Sequence, residues 1–211
     1  MLMRKTGAIA LVGLALAAAA TAAASDSSGG APETWRKPTV AHQGIRVMNA
    51  AGHRAESVYH YAPPGKMHEE TTMEGMSLSI IVREDLSLIW TVLPGGMYVE
   101  MEIGEAGDRG APSAEDIVEF EALGEDEIDG WPTTRYRVVS MEDGEPLAGE
   151  FWVTEHWIPV RMELEVGDGP GETVEWEIRD LRITAQDPAL FELPDGATPM
   201  PGGAAIKRLF N

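Results

Sequence analysis

Residues 76–103 read MSLSIIVREDLSLIWTVLPGGMYVEMEI and predict three strands joined by two tight turns. Apolar and polar residues alternate from Met76 to Val82, which is typical of a strand with one buried face. The alternation resumes after residues 83–85, and again after residues 93–96, where proline and glycine favour a turn. The stretch therefore predicts an antiparallel meander with one apolar face and one polar face.

Similar alternation elsewhere in the chain predicts about nine or ten strands in total. Residues 158–166 show it most clearly, because every second residue there is apolar. A short helix is expected over residues 113–124, since Ser113 has the position of an N-cap and Asp116 that of its capping-box partner.

So many one-sided strands would expose a large apolar surface if the sheet were flat, and monomeric proteins avoid such surfaces. We therefore predict a mainly β (α+β) fold. It consists of a single strongly curved antiparallel sheet, or incomplete β-barrel, with one or two short helices on the concave side. Two interiors are compatible with this fold: one filled by the protein's own side chains, and one that accommodates a hydrophobic ligand.

The side chains expected on the concave face are the candidate contacts of such a ligand. They are Met76, Leu78, Ile80, Leu88, Trp90, Met97, Val99, Met101, Val160, Met162, Leu164 and Trp176. Several are methionines, whose flexible side chains suit either a loose core or an adaptable lipid-binding surface.

The N-terminus has the features of a secretory signal peptide. Arg4 and Lys5 precede an alanine-rich apolar run over residues 8–20, and residues 22–24 are small enough for cleavage. We expect cleavage after Ala24 and a periplasmic location, with an uncleaved membrane anchor as the alternative. The remaining divisions are expected to be a flexible leader over residues 25–43, one β domain over 44–200 and a C-terminal tail over 201–211.

The composition is strongly acidic, with 35 acidic against 16 basic residues and a formal charge of -19. Such a surface repels nucleic acid and anionic headgroups, so no nucleic-acid partner is expected. The chain contains no cysteine, and its core must therefore stabilise it without disulfides. We expect a monomer.

Catalytic and metal-binding signatures are weak. The sequence has no G-x-S-x-G motif and no cysteine nucleophile, so we expect no catalytic residues, no cofactor and no enzymatic activity. His60 and His68 flank a turn and, with Met67 or Met73, could form a copper site. Solvated strand histidines are the preferred alternative, and we therefore predict no metal.

Four groups of residues occur in order between about residues 45 and 200. They are Lys66-Met67 with Ile80, Ile81, Arg83, Asp85, Trp90, Pro94, Tyr98 and Glu100; Leu123-Gly124-Glu125 with Gly130-Trp131-Pro132-Thr133-Thr134 and Tyr136; Ile158-Pro159-Val160-Arg161-Met162; and Asp187-Pro188 with Phe191-Glu192-Leu193-Pro194. Together they resemble the pattern of the outer-membrane lipoprotein carrier superfamily (LolA/LolB-like), in a branch of small exported bacterial proteins of unknown function.

This resemblance implies a hydrophobic concave face covered by helices that act as a lid. It also implies binding of acyl chains or lipoproteins, or a role as a periplasmic sensor or adaptor. Residues 32–44 lack the amphipathic helix with which lipoprotein carriers usually begin, so part of the lid is expected to be missing. Lys66, Arg83 and Asp85 are expected to form hairpin ion pairs and turns rather than to contact a ligand.

The functional prediction is therefore a non-enzymatic periplasmic protein that binds an acyl chain, lipid or lipoprotein within the curve of the sheet. The alternative is a periplasmic interaction or sensor module with a filled core. In that case an acidic outer surface would bind a partner protein of the cell envelope.

Overall fold

The computed structural model describes residues 36–50, 52–73, 76–103, 117–142, 145–165 and 173–200. They form a nearly all-β domain in which twelve strands belong to one sheet. Two short 3-10 turns, Glu84–Leu86 and Pro188–Phe191, interrupt the strands. Within the described ranges, no helix is both long enough and apolar enough to cross a membrane.

The strands follow the alternation in the sequence closely. Their bounds are β1 His42–Ala50, β2 His53–Ala62, β3 Lys66–Met73, β4 Met76–Arg83, β5 Leu88–Val92, β6 Met97–Glu102, β7 Ile117–Ile128, β8 Trp131–Glu142, β9 Glu145–Thr154, β10 Pro159–Glu165, β11 Thr173–Ile183 and β12 Thr198–Pro199.

The sheet consists of two antiparallel meanders that meet at β1 and β11. Its order is β12-β6-β5-β4-β3-β2-β1-β11-β10-β9-β8-β7, and only the two-residue β12 runs parallel to its neighbour. The two edge strands, β12 and β7, lie at opposite ends of this order, so the sheet is open. This confirms the predicted single antiparallel sheet.

A segment before β1, residues 36–41, shows how strongly the sheet curves; we call it the strap. Lys37 forms an ion pair with Glu84 beside β4, and the Thr39 N–H donates to the His156 carbonyl beside β9 at 3.0 Å. Six strand steps separate β4 from β9, which would be about 29 Å in a flat sheet. Lys37 and Thr39 are two residues apart, and two residues of backbone span at most about 7 Å. Glu84 beside β4 and His156 beside β9 must therefore lie much closer together than they would in a flat sheet. The sheet therefore curls around its interior at this end.

The outside of the first meander is covered by residues 184–200. Phe191 is 1% exposed, and Leu193 packs against Ile81, Trp90 and Val92. The Arg83 guanidinium fixes this segment by donating to the Glu192 carboxylate at 2.6 Å. Residues 184–200 are therefore part of the fold.

The ion pairs predicted for the first meander are present. Arg83 donates to both carboxylate oxygens of Asp85 at 2.8 Å, and the Lys66 ammonium lies 3.8 Å from the same carboxylate. These residues stabilise the end of the hairpin, as expected from the sequence.

The helix predicted over residues 113–124 is wrong from Ile117 onward, and residues 113–116 lie outside the described part of the chain. Ile117 begins β7, which pairs with β8 as far as Ile128 opposite Trp131. Asp129 and Gly130 join the two strands with φ of 50° and 78°, the pair of positive values that a type I′ hairpin turn requires. Pairing with β8 therefore outweighs a local spacing that suits a helix.

Candidate functional site

The concave side of the sheet, here called the inner face, carries one hydrophobic cluster that extends across both meanders. Its buried members are Met48, Ala50, Tyr59, Tyr61, Met67, Ile80, Val82, Ile89, Ile158, Val160, Met162, Val174, Trp176, Ile178 and Leu181. Trp152 belongs to the same cluster but pairs with Arg161 and so lies on the other face of β9. Because Ile89 of β5 belongs to it and Phe151 of β9 packs against it, the curvature brings apolar side chains of distant strands together.

Nine of the predicted ligand contacts occupy the inner face. They are Leu78, Ile80, Met97, Val99, Met101, Val160, Met162, Leu164 and Trp176. Met76 begins β4, but its side chain lies outside the described part of the structure. That these side chains contact a ligand stays a prediction.

Two of the predicted contacts, Leu88 and Trp90, lie on the opposite, outer face. Paired residues of a ladder share a face, and Trp90 pairs with Ile81 while Ile89 pairs with Val82. The reason is the connection between the strands: a 3-10 turn ends at Ser87, which has a φ of 56°. The apolar pattern restarts one residue out of step after this turn, so Ile89 is the inner residue of β5.

In β4, β6 and β10 the described inner-face residue farthest from the strap is the most exposed, whereas Ala50 of β1 and Val174 of β11 are buried at the same end. In β4, Val82 is 1% and Ile80 8% exposed, while Leu78 is half-buried; in β6, Val99 is buried and Met97 is 38% exposed. Residues of β10 follow the same trend, from buried Val160 to half-buried Leu164. The accessible apolar side chains of the inner face therefore lie at the remote ends of β4, β6 and β10.

A charged pair lies within this apolar face. Arg46 of β1 donates from Nη1 to Oε2 of Glu69 of β3 at 2.6 Å, and the Ser57 hydroxyl donates to Oε1 of the same carboxylate. The side chains of Arg46 and Glu69 are only 1% and 0% exposed. Each of these buried charges is stabilised by the other, since an unpaired buried charge would destabilise the fold.

Aromatic rings enclose this charged pair. The Arg46 guanidinium carbon lies 4.2 Å from the ring centroid of Tyr59 and 4.9 Å from that of Trp176. Nearer the strap, His42 and Tyr61 stack with ring centroids 5.1 Å apart. The rings hold the guanidinium by cation–π contacts and limit the orientations that it can adopt.

Several polar atoms of this group have no hydrogen-bond partner among the described residues. The unpartnered buried atoms of the inner face are His42 Nε2, Arg46 Nε, Tyr61 OH and Trp176 Nε1. Buried polar atoms in folded proteins nearly always have a partner, so these four are the inner-face atoms at which a further partner is expected.

Burial shifts the protonation of these groups. It lowers the pKa of His42 to about 4, raises the pKa of Tyr59 to about 12, and raises the pKa of Tyr61 as well. Burial also raises the pKa of the Glu69 carboxyl, against which the Arg46 charge and the Ser57 hydrogen bond act. At neutral pH the imidazole and the two phenols are therefore uncharged.

Sequence reasoning missed this polar group. The alternation of β1 places Arg46 on the same face as His42 and Met48, and the alternation of β3 places Glu69 with Met67. The signal in the sequence was a charged residue at an apolar position in each of two strands that are close in sequence. Charged strand residues usually face solvent, which hides the pair.

The histidines proposed for copper lie on the outer face. His60 and His68 are cross-strand neighbours with stacked rings 5.9 Å apart, as their positions around the turn predicted. His60 Nδ1 is 2.8 Å from the Gln186 side-chain oxygen. No group of three or more histidines, aspartates or glutamates in the described ranges is arranged to hold a metal ion.

Comparison with known proteins gives structural matches only. No family model and no curated protein sequence matches this chain. An uncharacterized conserved protein from Thermus thermophilus has 14% identity and a TM-score of 0.55, covering 77% of this chain and 90% of its own. The similarity is one of fold.

Other solved structures match with lower TM-scores. The MucA/MucB complex of Pseudomonas aeruginosa matches with 13% identity and a TM-score of 0.47, covering 74% of this chain and 56% of its own. A LolA superfamily protein from Nitrosomonas europaea matches with 11% identity and a TM-score of 0.35, covering 75% and 92%.

Proposed function

We propose that this protein is a non-enzymatic, periplasmic binding protein that accommodates an acyl chain of a lipid or lipoprotein against its inner face. The observation that carries the proposal is the largely apolar inner face, which is accessible at the remote ends of β4, β6 and β10. Leu78, Met97 and Leu164 form its accessible end. An apolar surface inside a curved sheet can surround an acyl chain and remove it from water.

Saturable binding of a fluorescent acyl probe to the purified protein tests this function. A matched pair of substitutions locates the binding surface: Met97→Glu on the inner face and Val58→Glu on the outer face. Met97 is 38% and Val58 49% exposed, so either glutamate remains in contact with water. We expect Met97→Glu to weaken probe binding about tenfold or more and Val58→Glu to leave it unchanged.

Two results would contradict the proposal. One is the lack of saturable uptake by the wild-type protein, together with no lipid in mass spectra of protein purified from its native periplasm. The other is an equal effect of the two substitutions, since probe binding would then not depend on the inner face. N-terminal sequencing of the same preparation tests export and cleavage after Ala24.

The alternative function is capture of a basic partner of the cell envelope by an acidic surface. It is favoured by β7, an edge strand of the sheet whose exposed residues include Glu119, Glu121, Glu125 and Glu127. Binding through such charges decreases with ionic strength. Partner capture that is equally strong at low and high salt would exclude this mode of recognition.

A further inference from the structure

The four unpartnered atoms of the inner face differ in what they can bind. Arg46 Nε and Trp176 Nε1 can only donate a hydrogen bond, while the Tyr61 hydroxyl can donate or accept. His42 Nδ1 lies 3.0 Å from the Val40 carbonyl and must donate to it, so Nε2 of the neutral imidazole is an acceptor. The group therefore offers two donors, one acceptor and one hydroxyl of either role.

These atoms occupy two neighbouring positions within the curve. Arg46 and Trp176 are in contact, with the guanidinium carbon 4.9 Å from the indole centroid. His42 and Tyr61 form a stacked pair nearer the strap. Tyr59 lies between them, because its ring contacts both the Arg46 guanidinium and the His42 ring. A ligand that satisfies both pairs carries an acceptor at one position and a hydroxyl at the other.

Charge balance restricts the ligand further. The Arg46 guanidinium is paired with the Glu69 carboxylate, and the ion pair carries no net charge. The nearby strap cation, Lys37, is likewise paired with a carboxylate, that of Glu84. An additional carboxylate at Arg46 would therefore be placed beside Glu69 without a counterion.

We propose that the inner face recognises the uncharged ester end of an acyl lipid and discriminates against a free fatty acid. In this arrangement the ester carbonyl accepts from Arg46 Nε and Trp176 Nε1, and a neighbouring hydroxyl bonds to Tyr61 and to His42 Nε2. The acyl chain extends along the apolar side chains toward Leu78 and Met97. This inference rests on the proposed function and specifies the chemical class of its ligand.

Competition for the acyl probe at pH 8 by monolaurin, methyl laurate and laurate tests this selectivity. The three share one chain length and differ at the polar end. We expect monolaurin to bind most tightly, methyl laurate next, and ionised laurate at least tenfold more weakly than monolaurin. If laurate binds as tightly as monolaurin, the inference is wrong while the proposed function stands. If none of the three binds, the proposed function itself fails.

Trp176→Phe and Tyr61→Phe assign the preference to individual atoms. Each removes one unpartnered atom, so neither breaks a hydrogen bond within the described structure. Tyr61→Phe keeps the ring, and Trp176→Phe replaces the indole by a smaller aromatic ring. We expect Trp176→Phe to reduce the preference for esters at least fivefold and Tyr61→Phe to remove the advantage of monolaurin over methyl laurate. Trp90→Phe is the control, because its Nε1 donates to Glu100 on the outer face at 2.9 Å.

Urea unfolding separates these effects from loss of structure. Variants that keep wild-type stability and lose the preference support the inference. Variants that keep both stability and preference overturn it, since water rather than the lipid would then be the partner of these atoms.

Discussion

Arg46 and Glu69 form an ion pair across two strands inside the curve of the sheet, with 2.6 Å between Nη1 and Oε2. Both side chains are almost completely removed from water, on a face that is otherwise apolar. The pair is thus needed for stability, and it also places an oriented polar group on the inner face. Removing one partner leaves the other charge buried and unbalanced.

We expect Arg46→Met to lower the free energy of unfolding by about 3–5 kcal/mol, because it leaves the Glu69 carboxylate without its cation. The double variant Arg46→Met/Glu69→Gln should recover part of this loss, since no charge remains. Urea denaturation of the wild type, the two single variants and the double variant measures the coupling.

The control for this cycle is Arg54→Met, which breaks the exposed pair with Glu56 on β2. Both side chains of that pair are at least half exposed. Such pairs contribute little, so the change should stay within about 1 kcal/mol. Equal losses from Arg46→Met and Arg54→Met would contradict the importance of the buried pair.

His42 should make the stability dependent on pH. Its pKa is about 4 in the folded protein against 6.5 ordinarily, so the unfolded chain binds more protons between these values. Stability therefore rises with pH across this window and is lost as pH falls through it, by up to about 3 kcal/mol. The raised pKa of Glu69 acts in the opposite sense, so the comparison must be with a variant that changes His42 alone.

The measurement is urea unfolding between pH 4 and 7.5 for the wild type and His42→Asn. The asparagine amide can still donate to the Val40 carbonyl. We expect a shallower rise in stability with pH for this variant. A substitution of the exposed His53 serves as control, and identical pH profiles for the wild type and His42→Asn would refute the prediction.

Phe191 should anchor the covering segment of the outer face. Phe191→Ala removes a side chain that is 1% exposed and should cost about 3–5 kcal/mol in thermal or urea unfolding. Val118→Ala on β7, where the side chain is 62% exposed, should change stability by less than about 0.5 kcal/mol. A small loss from Phe191→Ala would mean that residues 184–200 are not an integral part of the domain.

The curvature can be measured directly, because the chain contains no cysteine and two introduced ones are the only sites for spin labels. Labels at Leu86 and Glu155 report the separation of the turns after β4 and β9. We expect a distance well below the about 29 Å of a flat sheet. Substituting Thr39 by Pro removes the N–H that bonds to His156, and we expect it to broaden this distance distribution.

The sequence predicted the architecture well because the apolar alternation directly reflects a one-sided sheet. It failed where a local pattern had two solutions. The spacing of Ile117 and Phe120 fits a helix, but pairing with β8 and the turn at Asp129 determine a strand. Trp90 was assigned to the inner face because the turn at Ser87 changes the phase of the alternation by one residue.

The polar group of the site could not be predicted for a different reason. Whether Arg46 faces solvent or Glu69 depends on the curvature of the sheet and on Tyr59 and Trp176 packing against the guanidinium. The Trp176 contact joins strands that are distant in sequence, and alternation alone does not show which charged residues form buried pairs.

The long edge strand β7 bears on self-association of the protein in concentrated solution. The unpaired backbone N–H and C=O groups of an edge strand can pair with a strand of a second copy of the protein. In β7, glutamates at several positions and bulges near Ile117 and Gly124 oppose this, since two such strands would bring like charges together along an irregular backbone. We therefore expect the acidity of β7 to oppose self-assembly and concentrated salt to weaken this effect.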